Sequence, residues 1–325
     1  MRNLREPLEI AILIYPSVQM AAVLGLTDLL HFADRLTRKR MGDDIPVLRV
    51  SHVQPATVAW GIERSLHTIP GDTGTPAFIV IPPFLELPGA EGFSNHLVAW
   101  LRELHRRGTV LASVCGGTFL LAQTGLIGTG AATTHYSLVE EISQRFPDLD
   151  VDADQILIDN GTIISAGGFM AWMDLGLHLV ERTLGPVAML DTAKYLLIDP
   201  PRREQRFYQV FSPKVEHGDE AVLKTQSWLA EEPPRLVSTS EMASRSSLEI
   251  RTFTRRFLKA TGLKPQEYCQ HLRIARAREL LSERQGSVQS VAWEVGYDDL
   301  GSFRSAFMKL TGLNPIDYRK RFGIG

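Results

Sequence analysis

Cys115 ends an apolar run and is followed by two glycines, in Ala112-Ser113-Val114-Cys115-Gly116-Gly117-Thr118. Where a β-run meets a helix at such a point the backbone has to turn abruptly. The glycines permit that turn, expose the side chain before them and present amides to an anion. A thiol held there becomes a nucleophile only if a base or a helix N-terminus lowers its pKa and donors receive an oxyanion. His135, in Ala131-Ala132-Thr133-Thr134-His135-Tyr136, is the candidate partner. Both residues also have a plainer reading, Cys115 as a buried elbow kept for its geometry and His135 as a packed, hydrogen-bonded histidine.

Such a turn needs a sheet to stand on. Over the first 195 residues, short apolar runs at Glu9 to Tyr15, Val47 to Val53, Ala77 to Ile81 and Thr109 to Val114 read as buried strands, with helical patterns at Ala22 to Arg38 and Phe93 to Arg107. Alternation of this kind predicts a parallel sheet covered on both faces. Ile156 to Asp159 and Thr162 to Ser165 flank Asn160-Gly161, a hairpin signal, and Gly167-Gly168 opens a long helix through Met170 to Leu184. In open parallel sheets ligands bind beyond the carboxyl ends of the strands. That end gathers Tyr15, Pro16, Pro82, Pro83, Cys115, Gly116 and His135 as a candidate ligand crevice.

A different signal lies near the C-terminus. Phe253, Phe257, Lys259, Thr261, Gly262, Leu263, Pro265 and Tyr268 recur fifty residues later as Phe303, Phe307, Lys309, Thr311, Gly312, Leu313, Pro315 and Tyr318. Eight identities in one register imply two copies of one supersecondary unit. Each copy reads as a short helix, a tight turn and a second helix. Ser238 and Glu241 suit a capping box before Met242 and Ala243, and a helix from Arg251 to Lys259 stops at Gly262. Ser287 precedes Val288 to Val295, Gly296-Tyr297 turns, and Leu300 to Leu310 runs to Gly312. Pro265 to Glu283 is a helical stretch between the copies. Apolar residues four apart on the second helices complete two helix-turn-helix patterns.

From about Val222 to Phe322 the chain resembles the DNA-binding domain of AraC/XylS-type transcriptional regulators. The resemblance rests on the two F-x-x-x-F-x-K-x-T-G-x-x-P-x-x-Y tracts, on Leu272-Arg273, Ala277 and Leu280-Leu281 between them, and on Val291-Ala292 with Gly296-Tyr297. It implies two recognition helices entering successive major grooves, about 34 Å or one helical turn apart. The family pattern places Arg251, Thr254 and Arg255 on the first reading face and Gly301, Ser302, Arg304 and Ser305 on the second. Arginine grips guanine O6 and N7 with two hydrogen bonds, whereas serine and threonine discriminate weakly. The first helix is therefore expected to be the more base-specific reader. Without the repeat, Arg251, Arg255, Arg256 and Arg304 read as ordinary solvated helix charges.

The stretch from about Glu9 to Leu197 resembles the PfpI-like cysteine hydrolase and class I glutamine amidotransferase superfamily, in the branch fused to AraC-type domains and in isonitrile hydratases. The elbow, the tract ending at His135 and Ser165-Ala166-Gly167-Gly168 carry the likeness. Together the halves resemble GlxA-type regulators. Three departures from catalytic members stand out: Gly116 occupies the place of a histidine, Ala22 the place of an acid in the first helix, and Pro82-Pro83 the place of glycines with amides to give. Asp28 and His31 lie near along the same helix. A sensor whose catalysis has degenerated is the expected outcome. An active cysteine amidohydrolase or hydratase using Cys115 is the alternative.

The charge distribution agrees with two functions in one chain. From Arg235 to Gly325 there are 16 Lys/Arg and 9 Asp/Glu, a balance of +7, and the remaining 234 residues hold 19 and 28, a balance of −9. A basic tail on an acidic body is expected of a nucleic-acid module joined to a partner that is not one. The apolar runs are far shorter than the ~20 residues that span a bilayer, and residues Met1 to Pro7 carry no small-residue cleavage site, so no membrane segment and a cytoplasmic location are expected. Cys115 and Cys269 form no framework, and no Cys or His spacing suggests a metal or other cofactor.

The expected architecture is an α/β flavodoxin-like parallel-sheet N-terminal domain followed by an all-α domain with two helix-turn-helix motifs. Residues 1–197 form the PfpI-like sensor and dimerisation domain, 198–218 a proline-punctuated linker around Asp199-Pro200-Pro201 and Ser212-Pro213, and 219–325 the DNA-binding domain, opened by a helix over Glu220 to Ala230. The expected partners are double-stranded DNA, a small-molecule effector, a second copy of the chain as homodimer, and RNA polymerase.

Overall fold

The computed structural model describes residues 7–42, 48–56, 61–71, 74–86, 89, 92–199, 204–231, 237–283 and 286–324. Val47, Pro200, Pro201, Pro233 and Pro234 lie outside them. The chain divides into two compact units, 1–205 and 206–325. The division falls inside the stretch read as a connection.

The first unit runs β1 (Leu8–Leu13), α1 (Met20–Met41), β2 (Leu48–Pro55), β3 (Ile62–His67), β4 (Phe78–Ile81), α2 (Asn95–Arg106), β5 (Val110–Val114), α3 (Gly117–Gln123), β6 (Ala131–Ala132), α4 (Val139–Arg145), β7 (Asp150–Val151), β8 (Leu157–Asp159), β9 (Ile163–Ala166), α5 (Trp172–Leu184) and α6 (Pro186–Leu196). The main sheet has the order β3-β2-β1-β4-β5-β9-β8. Its five inner strands are parallel, in the flavodoxin-like sense 2-1-3-4-5, so the strand order reverses between β1 and β4. Both edges are antiparallel additions. At one of them the Asn160-Gly161 turn joins β8 to β9 as read from sequence, with Gly161 at φ +86°.

Inner strands β4, β5 and β9 are largely apolar on both faces because helices cover them, whereas β2 buries Arg49, Ser51 and His52 among its apolar residues. Ile10, Ile12, Ile79, Val80, Ile81, Leu111 and Val114 have no solvent exposure. β3, at the edge, is mostly exposed and polar, and its apolar content is too low for the run to read as a buried strand. At Gly176, a side chain on α5 would sit only 3.0 Å from Leu29 of α1. The glycine therefore sets how closely the two helices pack.

The second unit is helical: α7 (Glu220–Glu231), α8 (Thr239–Arg245), α9 (Ile250–Thr261), α10 (Pro265–Glu283), α11 (Val288–Glu294), α12 (Leu300–Thr311) and α13 (Pro315–Phe322). It has two hydrophobic clusters, one per repeat. Phe253, Phe257 and Tyr268 anchor one, and Phe303, Phe307 and Tyr318 the other, with near-perpendicular ring contacts of Phe257 on Tyr268 and Phe307 on Tyr318 at 5.2 and 5.3 Å. The four phenylalanines are wholly buried, and each contributes about 1.5–3 kcal/mol by leaving water. Both α9 and α12 end at a left-handed glycine, Gly262 (φ +78°) and Gly312 (φ +74°), as the repeat requires.

Candidate functional site

The elbow is real as geometry. Cys115 has φ +52°, a left-handed conformation that side chains avoid unless their surroundings enforce it. Cys115 N donates to Ala166 O on β9 at 2.7 Å, and Thr134 Oγ1 donates to Cys115 O at 2.8 Å. The two glycines answer to sterics. A methyl at Gly116 would lie 2.5 Å from the Phe84 ring, and one at Gly117 would lie 2.5 Å from Ile81 O.

The segments after β1, β4 and β5, which carry six of the residues expected to line a ligand site, meet at the switch between β1 and β4. Tyr15 Oη donates to Pro82 O, Gln19 N to Pro83 O at 2.8 Å, and Leu85 N to Ser17 O at 2.7 Å. The segment after β1 is thereby paired with the segment after β4, through an antiparallel bridge of Val18 to Phe84. Pro16 is exposed, while Tyr15, Pro82, Pro83, Cys115 and Gly116 are buried and His135 is half-buried. Phe84 lies over Gly116 and is packed by Phe93 and Phe119, at ring distances of 6.3 and 6.1 Å. Phe84 was not legible as a site residue, because its only sequence signal is an apolar residue after two prolines.

Burial pushes the Cys115 thiol up to about 11, against the smaller opposing effect of backbone N–H groups of Gly116 and His135 that bond the sulfur. Burial likewise raises the Tyr15 hydroxyl, reinforced by Cys115. His135 touches the sulfur through its main chain. Its imidazole Nδ1 instead meets Ser137 Oγ at 2.7 Å and accepts from Ser137 N at 3.2 Å, and the ring stacks on Tyr136 at 4.3 Å. Burial lowers the His135 pKa, so the ring is neutral near pH 7. The imidazole partners of His135 are thus Ser137 and Tyr136. Ala22 is buried and apolar, and Asp28 and His31 lie on the exposed side of α1. Among the described residues, no side-chain carboxylate or imidazole shifts the thiol.

In the second unit the expected reading residues stand on the helix faces opposite the phenylalanines. Arg251, Arg255, Gly301, Ser302, Arg304 and Ser305 are exposed, and Thr254 is half-buried with its hydroxyl donated back to Ile250 O at 2.8 Å. Arg256 is drawn away. It forms a two-pronged pair with Asp219 at 2.7 and 2.9 Å, which holds the Asp219 carboxyl below its usual range. Ser238 and Ser287 cap α8 and α11 by accepting from Glu241 N and Ser290 N.

The copies differ by one residue. Ser238 and Ser287, the α8 and α11 caps, are 49 apart, as are the left-handed Ser247 (φ +54°) and Gly296 (φ +83°), whereas Glu249 and Asp299, the residues immediately before α9 and α12, are 50 apart. The second turn therefore holds one more residue than the first. Asp299 accepts from Ser302 N at 2.6 Å, while Glu249 makes no side-chain cap.

Comparison with known proteins places both units. Residues 74–182 match the model of the DJ-1/PfpI family, and residues 242–321 match a model described as a helix-turn-helix domain. The HTH-type transcriptional regulator CdhR of Pseudomonas aeruginosa is 29% identical over 226 residues, 69% of this chain and 66% of that one. ArgR of the same organism, also an HTH-type transcriptional regulator, is 24% identical over 97% of this chain and 94% of its own length. The HTH-type transcriptional regulator GlxA of Rhizobium meliloti is 25% identical over 69% of each chain. The chain thus joins a DJ-1/PfpI domain to an AraC-type helix-turn-helix domain and is similar to HTH-type transcriptional regulators, spanning about two thirds of the length of CdhR.

Proposed function

We propose that the protein is a sequence-specific DNA-binding transcriptional regulator of the cytoplasm, acting as a homodimer and answering to a small metabolite held at the elbow crevice. The observation that carries the DNA-binding part is the pair of helices α9 and α12. Each is fixed from behind by two wholly buried phenylalanines and presents a polar face to solvent. A recognition helix has to be rigid on one side and free on the other. Arg251 and Arg255 supply base contacts, Thr254 assists, and Gly301, Ser302, Arg304 and Ser305 meet the second groove mainly at backbone and phosphate. In this reading residues 198–218 connect sensor to reader, and an RNA polymerase contact is what turns DNA binding into regulation.

The effector part rests on the elbow being kept while its chemistry is lost. A left-handed Cys115 whose thiol burial pushes up, an imidazole engaged with Ser137, and Ala22 at the place where catalytic relatives carry an acid support binding rather than catalysis at the sheet's switch point. A reporter assay separates the readings. Arg255→Ala is expected to weaken promoter discrimination markedly and Cys115→Ala to leave control nearly intact. The opposite pattern would favour the active hydrolase or hydratase.

A further inference from the structure

Gln205 closes the first unit with a buried side chain on which the elbow loop converges. Its amide nitrogen lies 2.8 Å from Thr134 O and 3.0 Å from both Thr133 Oγ1 and Gln155 O, and its oxygen accepts from Tyr136 N at 3.3 Å. Its backbone N donates to Asp154 O at 2.9 Å, and Glu204 bridges to Gln155. Gly167 leaves the room, since a methyl there would overlap the Gln205 amide nitrogen.

The same loop holds the elbow. Thr134 bonds Cys115 O through its hydroxyl, His135 bonds the Cys115 sulfur through its N–H, and Thr133 O accepts from Thr118 Oγ1 on α3 at 3.0 Å. Residues 133–136 therefore grip Cys115 on one side and Gln205 on the other. Within the second unit, Phe207 O accepts from Arg278 Nη2 at 2.6 Å, Gln209 O accepts from Arg278 Nη1, and the Phe207 ring leaves 2.7 Å for any methyl at Gly312. Arg206 alone separates the residue built into the first unit from the residue built into the second.

We infer that the Gln205 carboxamide is a latch that passes the state of the elbow crevice to the chain leading into the DNA-binding unit. The inference rests on the crevice being the effector site. A carboxamide with several buried partners is either seated with its bonds made or released to water, because a half-seated amide forfeits bonds without regaining solvent. A ligand that displaces residues 133–136 shifts that balance, and release detaches Gln205 from the elbow loop one residue before Arg206. Coupling of this kind is reciprocal, so unseating Gln205 must loosen the elbow as much as disturbing the elbow unseats Gln205.

Both directions are measurable on the full chain, with iodoacetamide as the probe of the crevice. The rate of Cys115 alkylation is followed by mass spectrometry of its peptide, in the unsubstituted protein and in Gln205→Ala, which removes the carboxamide, and Gly167→Ala, which expels it. Both variants are expected to alkylate at least about fivefold faster, with amide exchange at residues 207–209 unchanged. Unsubstituted protein alkylated at Cys115 is expected to exchange faster at residues 204–206. Alkylation at the unsubstituted rate in folded variants, or unchanged protection at 204–206 after alkylation, overturns the latch. The second arm needs no substitution and decides the matter even if both variants unfold. Because a reagent stands in for the effector, a metabolite screen that finds nothing would remove the effector reading while leaving this result to stand or fall by itself.

Discussion

At the scale of single residues, the question is what Cys115 and the exposed arginines can do. The thiolate is the reactive form, and burial pushes the Cys115 pKa up to about 11, so near pH 7 the group is a neutral thiol. The alkylation rate is expected to rise about tenfold per pH unit through pH 8–10. A rate already level at pH 7 would reveal an activated thiolate and restore the catalytic reading. Arg255 carries the opposite expectation. If it holds guanine with two bonds, Arg255→Ala should weaken binding to the preferred site by about 1–3 kcal/mol and relax selectivity at one position, as read by competition with single-base variants. An equal loss on every sequence would make it a phosphate contact. The sequence exposed Cys115 and the arginines because glycines and a repeat mark them. It concealed the roles of His135, Phe84 and Gln205, since a half-buried imidazole, an apolar side chain and a linker glutamine carry no local signature. Only three-dimensional proximity shows that His135 meets the sulfur by its main chain and that Gln205 meets the loop.

At the scale of elements, the two helix-turn-helix copies provide an internal control. Ser247 takes a left-handed φ of +54° where the second copy has Gly296. Ser247→Gly relieves a conformation unfavourable by about 1–2 kcal/mol but frees the unfolded chain, leaving a net gain of roughly 0.5 kcal/mol. Calorimetry of the helical unit should show a small rise in Tm, and a fall would mean that the Ser247 side chain is needed. Ser287→Ala removes the bond to Ser290 N and should cost about 1 kcal/mol. Asp299 adds a pH dependence. The Ser302 backbone N–H, its hydroxyl and the Gly301 N–H hold the carboxyl below its usual range. The stabilisation is present above the unfolded carboxylate pKa and is lost as the pH falls through the lower folded value. Asp299→Asn keeps a capping oxygen and should flatten that dependence, and an unchanged acid limb would assign it to another carboxylate. The inner strands and most helices were legible from apolar runs and from 3.6-residue periodicity. Edge strand β3 was not, because it is exposed and polar, and the 49-residue offset of α8 and α11 was hidden because only the second helices share enough identities to fix a register.

At the scale of the whole molecule, a basic C-terminal stretch on an acidic body makes DNA affinity electrostatic in origin and therefore sensitive to salt. Log affinity should fall linearly with log salt, and each phosphate-contacting cation removed should lower the slope by about one. Two domains of different class were legible because the alternating strand and helix pattern gives way to an all-helical repeat. The central claim is that α9 and α12 read DNA. It is tested most directly by selecting fragmented genomic DNA on the full-length protein beside the Arg251→Ala/Arg255→Ala double variant. The expected result is a defined motif with half-sites about one helical turn apart that the variant no longer enriches. Enrichment of the same motif by the folded double variant would contradict the assignment of α9 as the principal reader, and the absence of any motif with folded protein would contradict sequence-specific binding by the chain itself.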